Sequence, residues 1–289
     1  MQEYYFLFAL AFIFTTAAVV QDLKKREVAN WLNFSFIAFA LAYRTFYAVQ
    51  NKNPNFFIFG IIGFVIFFML AHLLYYSRAF AGGDAKLLMG YGIILPFSSY
   101  SSLLILTIAF ILLLFTIGAI YSLIYSIFLA IKSKTKFKKE IYILTKKYKK
   151  ILIVVFLISI LSLAILKFTT LTLAFFLLFS IVVIYIYTKA IDTCMIILTP
   201  ANKLTEGDWL ITDVKISKSK IIKKTVHGLS LNDIKLLKKS KKKILIKTGI
   251  PFTPAFLISL IIMVSFFLIS KVSPEQFFSS LSFQLFSLS

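Results

Sequence analysis

Residues 56–86, FFIFGIIGFVIFFMLAHLLYYSRAFAGGDAK, join a long apolar run to a basic residue, two glycines and an aspartate. A helix of about 20 apolar residues crosses the roughly 30 Å hydrocarbon core of a bilayer. Runs of this kind recur along the 289-residue chain, which is 60% hydrophobic and contains 33 phenylalanines. A soluble domain is about 45–50% apolar. The sequence therefore predicts a membrane protein that crosses the bilayer several times.

The apolar runs predict an all-α polytopic fold with about eight transmembrane helices, within a range of six to eight. A β-barrel would instead need alternating strands of about ten residues, and the sequence has no such pattern. Because no basic segment precedes the first run, we expect a retained helix and not a cleaved signal peptide. The candidate spans are about 4–20, 31–49, 56–77, 86–99, 103–131, 151–166, 169–188 and 250–270.

The basic residues predict the orientation of these helices. Segment 132–150 carries nine lysines and segment 189–248 carries fourteen. Cytoplasmic loops of membrane proteins are enriched in Lys and Arg. Placing the basic cluster at residues 24–26 inside puts the N-terminus outside and leaves both lysine-rich segments in the cytoplasm. We therefore expect a multi-pass protein of the cell membrane whose basic loops face the cytoplasm.

The segment 189–248 is expected to be a small α+β insertion. Residues 204–210 favour a turn and a strand, residues 214–226 are rich in β-branched side chains, and Ser230 with Asp233 is typical of a capping box at a helix start. The predicted organisation is 1–131, the membrane helices with both candidate aspartates; 132–150, a basic cytoplasmic loop; 151–188, further membrane helices; 189–248, the basic cytoplasmic insertion; and 249–289, the C-terminal membrane helix and tail.

Two carboxylates stand at the inner ends of predicted spans. Asp22 ends the first apolar run and Asp84 follows the third, 62 residues later. That separation is enough for one helix out, a short turn and one helix back, so both aspartates are expected on the cytoplasmic side. An ionisable side chain at membrane depth is costly and marks a functional site by default. Glu27, in contrast, is expected to be a surface partner of a neighbouring basic residue.

A pair of carboxylates has a specific chemistry when the two groups meet. In a site of low dielectric constant they cannot easily both ionise, so they share one proton. Aspartic proteases use this arrangement: one carboxylate takes a proton from water while the other polarises the scissile carbonyl. Gly82 and Gly83, directly before Asp84, allow a close backbone approach to an extended substrate strand. The pattern favours acid–base catalysis that needs neither a metal nor a cofactor.

Three stretches carry a resemblance to a known family: residues 21–28 with Trp31, residues 81–86 with Gly90, and residues 249–254. On these residues the chain resembles the type IV prepilin peptidases, and more closely the archaeal preflagellin and prepilin-like peptidases. The resemblance covers roughly residues 1–130 and 249–270.

This resemblance implies a membrane aspartic endopeptidase in which Asp22 and Asp84 are the catalytic pair. The enzyme would remove a short cytoplasmic leader from a pilin-like or archaellin-like precursor, before the hydrophobic helix of that precursor. Pro251 and Pro254 are expected to position the last helix near the site.

One residue departs from the Gly-x-Gly-Asp motif of that family. Ala81 takes the place of the first glycine, and because alanine is small we expect the fold to survive. Bacterial members often add a zinc-binding segment built on cysteine pairs. This chain has only Cys194, so it has neither a zinc site of that kind nor a disulfide within one copy.

Two other functions fit a pair of membrane aspartates. A presenilin-like intramembrane protease also uses Gly-x-Gly-Asp, but its Pro-Ala-Leu signature is missing because Phe256 follows Pro254 and Ala255. A transporter or channel would use the aspartates to bind cations or to relay protons. Transporters are often built from two related halves, and the sequence has no such repeat.

The net charge of +21 does not predict nucleic-acid binding. Lysines in cytoplasmic loops are explained by topology and by attraction to anionic lipid head groups, and no base-stacking pattern accompanies them. The expected partners are pilin-like or archaellin-like precursors and membrane lipids. A basic leader would be repelled by these loops. We therefore expect its hydrophobic helix, the carboxylates and local backbone contacts to hold the substrate, or the basic loops to point away from the site.

Overall fold

The computed structural model describes residues 2–166, 169–205, 207–217, 220–225, 228–240 and 243–270. The predicted C-terminal tail lies outside these residues. The helices are α1 (Gln2–Lys25), α2 (Asn30–Gln50), α3 (Pro54–Tyr76), α4 (Gly82–Ile94), α5 (Tyr100–Lys132), α6 (Lys134–Leu166), α7 (Thr170–Cys194), α8 (Leu231–Ser240) and α9 (Thr253–Ser270). The strands are β1 (Ile196–Pro200), β2 (Trp209–Leu210), β3 (Val214–Ser217), β4 (Lys220–Ile222) and β5 (Lys243–Lys247), and a 3₁₀ turn covers Ala201–Lys203.

Six helices within the described ranges are long and apolar enough to cross a membrane, namely α1, α2, α3, α5, α6 and α7. The two other predicted spans correspond to the 13-residue helix α4 and to the shorter apolar helix α9. Helix α4 ends at Ile94 because Pro96 disfavours a helical conformation at Leu95, which is extended with φ −63° and ψ 142°. The predicted all-α polytopic fold is confirmed, with a helix count at the lower end of the predicted range.

The prediction of a loop at residues 132–150 differs from the structure. Helix α6 begins at Lys134 and runs without interruption into the predicted span at 151–166. The physical reason is local: this lysine-rich stretch contains neither Gly nor Pro, and lysine is a good helix former. Charge alone therefore identified a polar segment but not its conformation.

The chain divides into two compact units. The first contains residues 1–122 and the segment from Pro251, and the second contains residues 123–250. In the first unit, helices α3 and α4 approach most closely at Gly63 and Gly92, where a Cβ on either glycine would overlap the backbone of the other. Small residues of this kind let membrane helices pack at short distance. The hydroxyl of buried Tyr91 lies 2.9 Å from Thr15 Oγ1 and donates to the Phe256 carbonyl at 3.3 Å, which joins α4 to α1 and α9.

Arg44 lies fully buried in the first unit. Its Nε donates to the Ile93 carbonyl at 2.6 Å, its Nη2 donates to the Leu95 carbonyl at 2.8 Å, and its Nη1 donates to the Phe56 carbonyl. The guanidinium also lies 4.6 Å from the ring centre of Phe56 and 5.4 Å from that of Tyr4. The carbonyls at a helix C-terminus carry partial negative charge. Arg44 thus caps the C-terminal end of α4 and supplies donors to its last carbonyls.

The second unit contains the predicted α+β insertion, which is confirmed. Strands β1, β5 and β2 form an antiparallel sheet in that order, and β3 pairs with β4. Its core includes Leu210, Leu237 and Ile246. Ser230 and Asp233 form the predicted capping box, because the Asp233 N–H donates to Ser230 Oγ at 3.2 Å and the Ser230 N–H donates to Asp233 Oδ2 at 3.1 Å. Strands β1 and β5, which border the insertion, were not predicted.

Substituting Arg44 by methionine keeps most of the side-chain bulk and removes three hydrogen bonds. A buried carbonyl left without a partner costs about 1–3 kcal/mol. We therefore expect the apparent Tm of the purified protein in detergent to fall by several degrees. Arg78→Met is the matched control, since Arg78 is exposed after α3, and it should melt like the wild type. Equal melting of Arg44→Met and the wild type would contradict this role.

Candidate active site

Asp22 and Asp84 lie in the same compact unit. Asp22 is in the last turns of α1, Asp84 is in the first turn of α4, and each is only 7% exposed. Helices α2 and α3 form the hairpin between them, with its turn at residues 51–53. The two carboxylates lie within electrostatic range of each other. The hairpin between the two motifs therefore returns the chain to the end of α1, where the carboxylates form a buried pair.

Asp22 is held by the last described helix. Its Oδ2 atom accepts a hydrogen bond from the backbone N–H of Thr253 at 3.2 Å and another from the Thr253 hydroxyl at 2.8 Å. Thr253 is the first residue of α9 and is fully buried. A backbone N–H at a helix start has no partner inside its own helix. Asp22 supplies that partner, so the start of α9 and the end of α1 stabilise each other.

Asp84 is held within its own helix turn. Its carboxylate accepts a hydrogen bond from the backbone of Ala81, the residue before α4. A negative charge in the first turn of a helix is also favoured by the helix dipole. The two carboxylates thus meet where the starts of two helices, α4 and α9, offer backbone donors.

The two predicted glycines have different surroundings. A Cβ on Gly83 would lie 3.2 Å from Val28 Cβ, and the Gly83 carbonyl accepts a hydrogen bond from Asn33 Nδ2 at 3.3 Å. A Cβ on Gly82 would meet only the ring of Tyr75, at 3.7 Å. Gly83 therefore brings α4 against the segment after α1, whereas Gly82 has room for a side chain.

Ala81 occupies a backbone conformation that alanine adopts readily. It is exposed and extended, with φ −72° and ψ 162°. A glycine is required only where φ is positive or where space is short, and neither condition holds here. The departure from the family motif therefore causes no backbone strain.

The remaining motif residues support the turn between α1 and α2. The Gln21 Oε1 atom accepts a hydrogen bond from the Ala29 N–H at 2.9 Å, and Lys86 Nζ donates to Asn30 Oδ1 at 2.6 Å. Gly90 packs against the ring of Phe36, because a Cβ there would overlap it. These contacts hold the motif stretch around Asp22 against the motif stretch around Asp84.

The prolines of the last motif flank the residue that contacts Asp22. Pro251 precedes α9 and is buried, and Pro254 is the second residue of α9. Proline is favoured in the first turn of a helix because no N–H is needed there. The sequence pattern singled out these prolines and missed Thr253 between them, although a hydroxyl residue at a helix start after Pro-Phe was the available signal.

Two grooves lie along α1, and neither is lined by Asp22 or Asp84. An apolar groove of about 480 Å³ runs between α1 and α9, lined by residues that include Phe8, Phe12 and Leu260. A second groove, of about 530 Å³, extends from Phe12 to Gln21, the residue next to Asp22. Among the residues that the structure describes, no three His, Cys, Asp or Glu side chains are grouped as metal ligands.

Comparison with known proteins finds a family match for the part of the chain that contains both aspartates. Residues 9–131 match the model of the type IV leader peptidase family. This leader peptidase region includes most of α1, all of α2 to α4 and all but the last residue of α5, and the second compact unit begins near its end.

Three curated relatives are archaeal preflagellin peptidases. The protein of Methanococcus voltae is 30% identical over 155 residues, which is 49% of this chain and 66% of the relative. The proteins of Methanocaldococcus jannaschii and Methanococcus maripaludis are 32% and 30% identical over 79 residues, or 27% of this chain and 33% and 34% of their own lengths. The chain thus spans just under two thirds of the first relative and about one third of the others. No solved structure matches the chain.

The two glycines of the leader peptidase motif should respond differently to alanine. Gly83→Ala forces Val28 to move, and overpacking of this kind costs about 1–3 kcal/mol. Gly82→Ala makes only an ordinary contact with the ring of Tyr75, at 3.7 Å, so its stability should change little. We expect the apparent Tm of Gly83→Ala in detergent to fall below that of Gly82→Ala. The reverse order would show that Val28 does not restrict the site.

Proposed function

We propose that this protein is a membrane aspartic endopeptidase that removes the N-terminal leader from type IV pilin-like or archaellin-like precursors at the cytoplasmic face of the cell membrane. One observation carries the proposal: Asp22 and Asp84, 62 residues apart in the sequence, are both buried and interact with each other. The match of residues 9–131 to the type IV leader peptidase family and the names of the archaeal relatives support the reaction and the substrate class.

The arrangement supports hydrolysis by a shared proton. One aspartate takes a proton from the attacking water while the other, protonated, donates a hydrogen bond to the scissile carbonyl. The same groups then return a proton to the leaving amine. Gly82 and Gly83 form the backbone surface beside Asp84 along which an extended substrate strand approaches.

The cytoplasmic orientation is part of the proposal. Both lysine-rich segments follow apolar helices, and by the charge bias of membrane proteins they belong on the cytoplasmic side. The same orientation leaves the N-terminus outside and puts the cytoplasmic end of α1, with Asp22, on the side where an uncleaved leader is exposed. Anionic lipid head groups are the expected partners of the surrounding lysines.

The alternative functions have less support. A presenilin-like protease or an ion transporter would also use buried aspartates, but the family match and the curated relatives do not favour either. The substrate we propose has a short basic leader followed by about 20 apolar residues, enough to span a bilayer.

Asp22→Asn and Asp84→Asn test the catalytic roles directly. Each change keeps the side-chain shape and removes one group from the acid–base pair, which typically contributes 10²–10⁴-fold to the rate. We expect each variant, co-expressed with a candidate precursor, to slow leader removal by at least about 100-fold. The readout is the mass of the precursor N-terminus in membrane fractions.

Glu27→Gln is the matched control for this experiment. Glu27 is exposed and lies five residues after Asp22, so its loss should leave cleavage at the wild-type rate. All variants must be present in the membrane at similar levels. Leader removal at the wild-type rate by both aspartate variants would refute the peptidase proposal.

A further inference from the structure

Thr253 is the buried residue with the most direct contact to the proposed catalytic pair. It lies 231 residues after Asp22, and both its backbone N–H and its hydroxyl donate to the same oxygen, Oδ2. Thr253 is 0% exposed. The matched leader peptidase region ends at residue 131, so the family match does not include this contact.

We infer that Thr253 is a positioning residue, which fixes the Asp22 carboxylate and keeps it charged so that Asp84 carries the shared proton. This inference rests on the proposed peptidase function. It assigns distinct roles to two aspartates that the sequence pattern treats alike.

Hydrogen bonds to a carboxylate favour its charged form. Asp22 accepts two from Thr253, and the backbone of Phe252 provides a further donor. The positive end of the α9 dipole points at the same group, which adds to the effect. Arg26 also lies within electrostatic range of Asp22. Asp84, in comparison, has the backbone of Ala81 and the adjacent negative charge of Asp22.

Because more hydrogen-bond donors surround Asp22 than Asp84, the shared proton is expected on Asp84. A proton on Asp22 Oδ2 would take that acceptor from the Thr253 hydroxyl and the Thr253 N–H, both of which are buried, and a proton on Oδ1 would weaken Oδ2 as an acceptor. A proton on Asp84 gives that group a donor for the substrate carbonyl. Asp22 remains the acceptor for the proton of the attacking water.

Thr253→Val, Thr253→Ser and Thr253→Ala test this role in the purified protein with a leader-containing precursor. Valine preserves the shape and removes the hydroxyl, whereas serine keeps the hydroxyl. A hydrogen bond to a charged group of this strength corresponds to about 10- to 100-fold in rate. We expect Thr253→Val to lower kcat by about this factor with KM within about 2-fold of wild type, and Thr253→Ser to restore most of kcat.

Thr253→Ala removes the hydroxyl without adding an apolar methyl group in its place. If Thr253→Val is not recovered as folded protein, the role of the hydroxyl is tested by comparing kcat of Thr253→Ser with that of Thr253→Ala. We expect kcat of the serine variant to be at least about 10-fold higher. Ser259→Ala is the matched control in the same helix. Ser259 is fully buried and its hydroxyl has no hydrogen-bond partner among the described residues, so its loss should not change kcat.

Three results would overturn the inference. These are a wild-type kcat in Thr253→Val, an equal loss of kcat in Thr253→Ser and Thr253→Val, and equal rates for Thr253→Ser and Thr253→Ala. Asp22→Asn in the same assay separates this inference from the proposed function. Full activity of Asp22→Asn would overturn both, whereas an inactive Asp22→Asn beside an unimpaired Thr253→Val would overturn only the role of Thr253.

Discussion

Charged groups inside an apolar helix bundle must find their partners within the protein, because no water is available to them. The first compact unit meets this constraint with backbone groups at helix ends. Arg44 binds carbonyls at the end of α4, and Asp22 accepts from the start of α9. The partial charges at helix ends suit this purpose, since cations are favoured at the C-terminus and anions at the N-terminus. The short helices α4 and α9 provide such ends inside the bundle, which long spanning helices do not.

The proposed acid–base catalysis would give the short helices a functional reason as well as a structural one. Helix α4 has Asp84 in its first turn and Arg44 at its last carbonyls, so its position is determined at both ends. Because Gly63 and Gly92 have no side chains, α4 packs closely against α3. A helix fixed in this way holds Asp84 in one place relative to Asp22. That preorganisation is what acid–base catalysis by a carboxylate pair requires.

The sequence predicted the features that depend on nearby residues. Apolar runs indicated the membrane helices, and the motif around Asp84 indicated a helix start with close backbone packing. The contacts of Arg44 with the end of α4 and of Thr253 with Asp22 were not predictable in the same way, because each joins residues that are 49 or more positions apart in the sequence. The helical conformation of residues 134–150 was missed for a different reason: a charge run was interpreted as a loop, although its residues favour helix.

The second compact unit supports the proposed orientation through its helix register. Tyr148 of α6 and Tyr185 of α7 have their hydroxyls 3.5 Å apart, and Ser159 Oγ donates to the Phe175 carbonyl at 3.1 Å, so the two helices run antiparallel. The residues of α6 that precede Tyr148 are rich in lysine. After Tyr185 the chain continues to Lys189 and the basic insertion. Tyrosine and lysine are typical of the membrane boundary. Both helices thus change from apolar to basic at the same level, which puts the two lysine-rich segments at the same end of this helix pair and agrees with the proposed cytoplasmic location of both.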